Sequence, residues 1–190
     1  MKYSKLLFSK IFFILFTAQI FFCNPKAQSA EKIKIIYSVF SRTVTVDSLK
    51  HFAESGNSSK SLRRILNATG SSDGEIQSVL NNNFEIPIII ASKLVYSEIG
   101  NVILSRLSSI LHTPRTNDER TGMLALRSSV IKGLHAGDGK INLVSFFESY
   151  PTKTVILNVN ALNKVMNKVE SLTELFEFFT SKPIDKIKNN

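Results

Sequence analysis

Hydrophobic and polar positions alternate with a period of two from Lys32 to Phe40, where Ile33, Ile35, Tyr37 and Val39 stand against Lys32, Lys34 and Ser38. That period is the mark of a half-buried strand. Arg42 to Val46 repeats it, with Val44 and Val46 on one face and Thr43 and Thr45 on the other, so a short antiparallel hairpin is expected. The period then becomes helical. Asp47 is the expected cap of a helix carrying Leu49, Phe52 and Ala53 and stopped by Gly56. Leu62, Ile65 and Leu66 form a second apolar face that closes near Gly70, and Ser72 with Glu75 forms a capping box ahead of Ile76, Val79 and Leu80.

The run Ile88 to Tyr96 after Pro87 is apolar without a clear period and reads equally as a short buried helix or a strand. Ser97 caps a longer helix with Ile99, Val102, Ile103, Leu107 and Ile110 in one stripe. Another helix spans about Glu119 to Leu134 and ends at the turn Gly137-Asp138-Gly139. A short one over Ile141 to Tyr150 is stopped by Pro151. Thr154 to Val159 alternates again and is the third strand. Asn160 then caps a last helix whose apolar residues run from Leu162 to Phe179. Strands followed by a series of helices indicate an α+β fold, mostly helical, with six or seven helices over a small antiparallel sheet of two N-terminal strands and one late strand.

A different pattern occupies the N-terminus. Lys2, Lys5 and Lys10 precede the apolar run Ile11 to Phe22, and small residues follow at Ala27, Ser29 and Ala30. This is the order of a secretory signal peptide, cleaved after Ser29 or Ala30. The run is well short of the roughly twenty residues that span a bilayer as a helix. Residues 1–30 are therefore expected to be a signal, residues 31–180 a single domain, and residues 181–190 a polar tail. An uncleaved signal would tether the protein to the membrane.

Losing residues 1–30 removes four lysines and no acid, so the formal charge of +9 falls to +5, from 20 basic against 15 acidic residues. With 43% hydrophobic and 21% charged residues over the whole sequence, the chain has the composition of a globular protein that can bury a core. The one cysteine, Cys23, lies in the signal, so no disulfide is expected in the domain. Phe22 before it is too large for a lipid-attachment motif.

Few motifs carry chemistry. Gly70-Ser71-Ser72-Asp73-Gly74 matches the G-x-S-x-G elbow that lifts a nucleophilic serine above a sheet, which makes Ser72 a candidate nucleophile. The elbow needs a strand before the serine, whereas an amphipathic helix precedes Ser72 and the capping box already accounts for it. His112 and His135 are the only downstream histidines that could complete a triad. Gly137 to Ile141 has the glycine of a calcium loop but Leu134, Ala136 and Ser145 where ligands belong. His51, His112 and His135 are scattered without metal-ligand spacing, and no phosphate loop or dinucleotide fingerprint occurs, so no metal or cofactor is expected. Lys60, Arg63 and Arg64 cluster on the second helix and offer an anion-binding surface that could attract anionic membrane. Nucleic acid is a poor partner for an exported protein.

The stretch Lys32 to Gly56, with Val46-Asp-Ser-Leu49 and Phe52-Ala-Glu-Ser-Gly56, resembles the start of the cyanobacterial domain of unknown function 1400. Tyr96-Ser-Glu-Ile-Gly100, the helix holding Ala125-Leu-Arg127, and Tyr150 to Val159 extend the resemblance over residues 31–180. In that family the domain often precedes an α/β-hydrolase domain. The resemblance implies kinship without transferring a catalytic residue.

The expectation is an exported domain of the periplasm or thylakoid lumen, acting as a non-catalytic accessory or binding module for a separate hydrolase, since the chain ends before a hydrolase domain could begin. The competing readings are a hydrolase in its own right and a peripheral binder of anionic membrane.

Overall fold

The computed structural model describes residues 29–69, 72–114 and 118–166. Most of the expected signal, the continuation of the last helix towards Phe179, and the polar tail lie outside these residues.

Strands β1 (Lys32–Tyr37) and β2 (Phe40–Thr45) form the expected hairpin, with Lys32 opposite Thr45 and Tyr37 opposite Phe40. Ser38 enters the left-handed region at φ 51° to make the reversal. The alternation fades towards this tip. Ile33 is buried and Ile35 half-buried, but Tyr37 and Val39, expected on the same inward face, are exposed because the hairpin outruns the helices that cover its base.

β2 passes without a loop into α1 (Val46–Ser55), whose cap is Thr45 rather than Asp47. The Thr45 hydroxyl accepts the Ser48 N–H at 3.1 Å, while Asp47 sits in the first turn, where a negative charge favours the helix dipole. Gly56 ends the helix as expected, at φ 73°, its N–H donating to the Phe52 carbonyl at 2.8 Å.

There follow α2 (Lys60–Thr69), α3 (Asp73–Asn81), β3 (Phe84–Glu85), α4 (Ile88–Val95), α5 (Glu98–Ile110), β4 (Leu111–His112), α6 (Glu119–Ala136), β5 (Lys140–Ile141), α7 (Leu143–Glu148), β6 (Thr154–Asn158) and α8 (Val159–Met166). The run after Pro87, which periodicity left open, is the helix α4, so the described residues contain eight helices rather than six or seven. The last helix starts earlier than expected: Asn158, not Asn160, caps it, accepting the Ala161 N–H at 3.1 Å.

The fold is α+β and mostly helical, as its pattern indicates, but its sheet is mixed. The strand order is β2-β1-β6-β4, with β6 parallel to β1 and antiparallel to β4. The late strand therefore does not complete an antiparallel sheet. Alternation is the same in either direction: β2 returns the chain to the end of the sheet where β1 begins, and β6 starts from that end, so it runs parallel to β1. β3 and β5 pair separately as a two-residue antiparallel ribbon.

Ile33 and Val155 from the sheet meet Leu104, Leu126, Phe147 and Tyr150 in the main core. A second cluster joins Val44 to Phe52, Leu62, Leu66 and Leu80 under α1, α2 and α3. Helices α5 and α6 approach closely at Gly122, where an added Cβ would come within 2.7 Å of the Ser108 Cβ. No single helix among the described residues is long and apolar enough to cross a membrane.

Candidate functional site

Three surface features have the shape or composition of sites: an apolar elbow at α4–α5, a polar cleft at the end of α5, and a groove beside the hairpin tip.

The elbow has an inverted helix at its centre. Only Ala91 and Val95 of α4 are buried, while Ile89 is 68% and Ile90 59% exposed. Leu94, Tyr96 and Ile99 are also exposed, so about three helical turns of chain present large apolar groups to water. Exposed apolar surface of this extent is unusual on a folded chain and makes the face a candidate site. The α4–α5 pair bends by 77°. The Ser97 hydroxyl accepts the Gly100 N–H at 3.0 Å and donates to the Leu94 carbonyl at 2.7 Å. Gly100 is required there, because a Cβ would lie 1.9 Å from the Leu94 carbonyl oxygen.

Arg127 of α6 fixes the corner from the inner side. Its Nε donates to the Val95 carbonyl at 2.9 Å and its Nη2 to Asn101 Oδ1 at 2.6 Å, with the guanidinium 4.5 Å from the centre of the Tyr96 ring. The apolar face is thus held on a braced frame. Sequence reasoning singled out Tyr96 to Gly100 and Ala125 to Arg127 separately; no local period could show that they meet.

The polar cleft, about 400 Å³, is lined by Ser105, Ser108, Ser109, His112, Asp118, Glu119 and Asn158. The Ser105 hydroxyl donates to Glu119 Oε1. Asp118 caps α6, and the Thr121 hydroxyl and N–H hold its carboxyl below the usual range. The His112 ring lies 3.3 Å from the Thr113 carbonyl through Nδ1. No hydrogen bond joins this ring to a serine among the described residues.

The groove, about 580 Å³, lies between the hairpin, α2 and α8. Ile35, Tyr37, Phe40, Ile65 and Val159 give it apolar walls, and Arg42, Ser41, Arg64 and Asn163 supply its polar groups. Of the expected basic cluster Lys60, Arg63 and Arg64, all three side chains are exposed on α2, but only Arg64 lines this groove. Its companion is Arg42 of β2, which sequence reasoning missed because the two lie on separate elements.

Ser72 is exposed and caps α3. Its hydroxyl accepts the Glu75 N–H at 3.2 Å, and its own N–H donates to Glu75 Oε2 at 3.0 Å. These bonds, the backbone one first, pull the Glu75 carboxyl below its ordinary pKa. Both halves of the expected capping box are present. His51 and His135 are exposed on α1 and α6, and no group of three His, Cys, Asp or Glu side chains among the described residues is placed to hold a metal. The Gly137-Asp138-Gly139 turn closes α6, the Gly139 N–H donating to the Leu134 carbonyl at 2.8 Å.

Residues 29–158 match the family model described as "Alpha/beta hydrolase of unknown function (DUF1400)". No curated protein and no solved structure matches the chain.

Proposed function

The chain belongs to the DUF1400 family, described as alpha/beta hydrolases of unknown function, and from that membership we propose an exported, non-catalytic accessory domain that docks a separate hydrolase. The observation that carries this reading is the braced apolar face of α4 and the start of α5. Full burial of an isoleucine is worth about 1.5–3 kcal/mol, so Ile89, Ile90 and Ile99 hold in reserve a gain that only a covering surface realises. The Arg127 clamp fixes the face before contact, which lowers the ordering cost of association. Export is supported by the N-terminal pattern of residues 1–30. Of the two expected cleavage points, the one after Ser29 retains Ala30, which is packed in the main core.

The test is capture of the tagged full chain from the exported fraction of its own cells, beside the Ile89→Asp/Ile90→Asp variant. A hydrolase that accompanies the native chain and is lost from the variant supports the reading. Recovery of no hydrolase, or of one that the variant retains, overturns it.

The polar cleft favours a second reading, hydrolysis by this chain itself. There Ser105 is bonded to a carboxylate and His112 lines the same space. It ranks second because no hydrogen bond links the histidine to the serine among the described residues. Ester hydrolysis by the purified chain that disappears in both Ser105→Ala and His112→Ala would move it to first place. Activity untouched by either change would remove it.

A further inference from the structure

We infer that the groove beside the hairpin tip binds a single-chain amphipathic anion, an alkyl carboxylate, with its tail on the apolar walls and its head between Arg42 and Arg64. This site is separate from the elbow, and its test does not depend on the docking reading.

The volume of about 580 Å³ falls in the range of small-molecule sites. Tyr37 and Phe40 are 55% and 66% exposed, so the hairpin tip offers aromatic surface that the fold itself leaves uncovered. Ile65 and Val159, from two helices, line the same groove and extend its apolar surface. A purely apolar ligand would leave the two guanidinium groups unused, and a purely ionic one would leave the walls wet. An amphiphile satisfies both.

The charge at the groove has one sign. Arg42 and Arg64 line it, no acidic side chain does, and neither arginine forms an ion pair among the described residues. Arg42 makes only a long 3.5 Å bond, to the Ser41 carbonyl. Guanidinium groups match the planar fork of a carboxylate. Two like charges at one groove repel each other, and an anion between them relieves that repulsion. Asn163 and Ser41 add neutral polar contacts at the same groove.

The experiment is calorimetric titration of the full chain with dodecanoate below its micelle concentration, beside dodecyltrimethylammonium and acetate. Expected is one dodecanoate per chain, no detectable binding of the cation or of acetate at the same concentrations, and at least tenfold weaker dodecanoate binding by Arg42→Gln/Arg64→Gln. Phe40→Ser should weaken it as well while leaving the arginines in place. Equal binding of the cation would mean that apolar surface alone is read, and it would overturn the proposal without any variant. Dodecanoate binding unchanged in the arginine variant would also overturn it. So would refusal of dodecanoate by the native chain.

Discussion

Helices α4 and α6 pack against each other and are both rich in apolar residues, yet they use them in opposite ways. α6 turns Ala125, Leu126 and Leu134 into the core and admits neighbours closely at Gly122 and Gly133, both buried. α4 gives the core only Ala91 and Val95 and turns three isoleucines and Leu94 outward. Arg127 holds the last carbonyl of α4 and the corner at Gly100 fixes its exit, which together set its orientation. The contrast separates apolar residues that stabilise the domain from apolar residues that the domain displays.

The largest effect is expected on the α6 side. Leu126 is 2% exposed within the main core, so Leu126→Ala should cost about 2–5 kcal/mol. Urea unfolding followed by circular dichroism measures it. A loss below about 1 kcal/mol would mean that α6 is no better packed than α4 and would erase the comparison.

The same core contains Tyr150, whose hydroxyl is buried without a hydrogen-bond partner among the described residues. Burial pushes its pKa up to about 12. The folded state therefore favours the neutral phenol. The resulting stability is fully present below the unfolded pKa near 10, declines as pH rises above it, and is lost by the time pH passes the folded value. Native protein should lose on the order of 2 kcal/mol across this window beyond any loss shared with Tyr150→Phe. At neutral pH the variant should be as stable or more so, because the substitution removes an unpaired polar atom. Parallel alkaline profiles for the two proteins would place Tyr150 in contact with water.

A smaller effect belongs to α3, which buries only Leu80 and leans on its cap. Ser72→Ala should cost about 1 kcal/mol, and the Glu75 carboxyl should titrate at higher pH, read by NMR. If Glu75 did not move, the backbone N–H of residue 72, which the substitution keeps, would govern its charge alone.

What could be read from sequence divides along the same line as the two helices. Caps and stops are local chemistry, so Ser72 with Glu75, Ser97 and Gly56 were legible residue by residue. Cap positions slipped where a strand runs directly into a helix, at Thr45 and Asn158, because threonine and asparagine there also fit the strand pattern. The direction of β6 was hidden, since alternation has no polarity. The candidate sites were hardest. Arg64 was visible as part of a basic cluster, but Arg42 joins it only through the fold. The period of α4 was obscured because its outward face is as apolar as a core face, and its orientation depends on Arg127, some thirty residues away.

The smallest expected effect is the most discriminating. Replacing Ile89 and Ile90 by serine removes apolar surface that touches water, so the stability of the isolated chain should change by no more than about 0.5 kcal/mol per site. Serine is only slightly poorer than isoleucine as a helix former, and the Arg127 bonds to Val95 and Asn101 do not involve either side chain. Urea unfolding of the double variant should nearly superimpose on that of the native chain. A loss of several kcal/mol would show that these isoleucines are already covered when the chain is alone, and α4 would then be a core helix like α6. Near-native stability, set beside the cost of Leu126→Ala, would identify the α4 face as apolar surface that the isolated chain leaves uncovered.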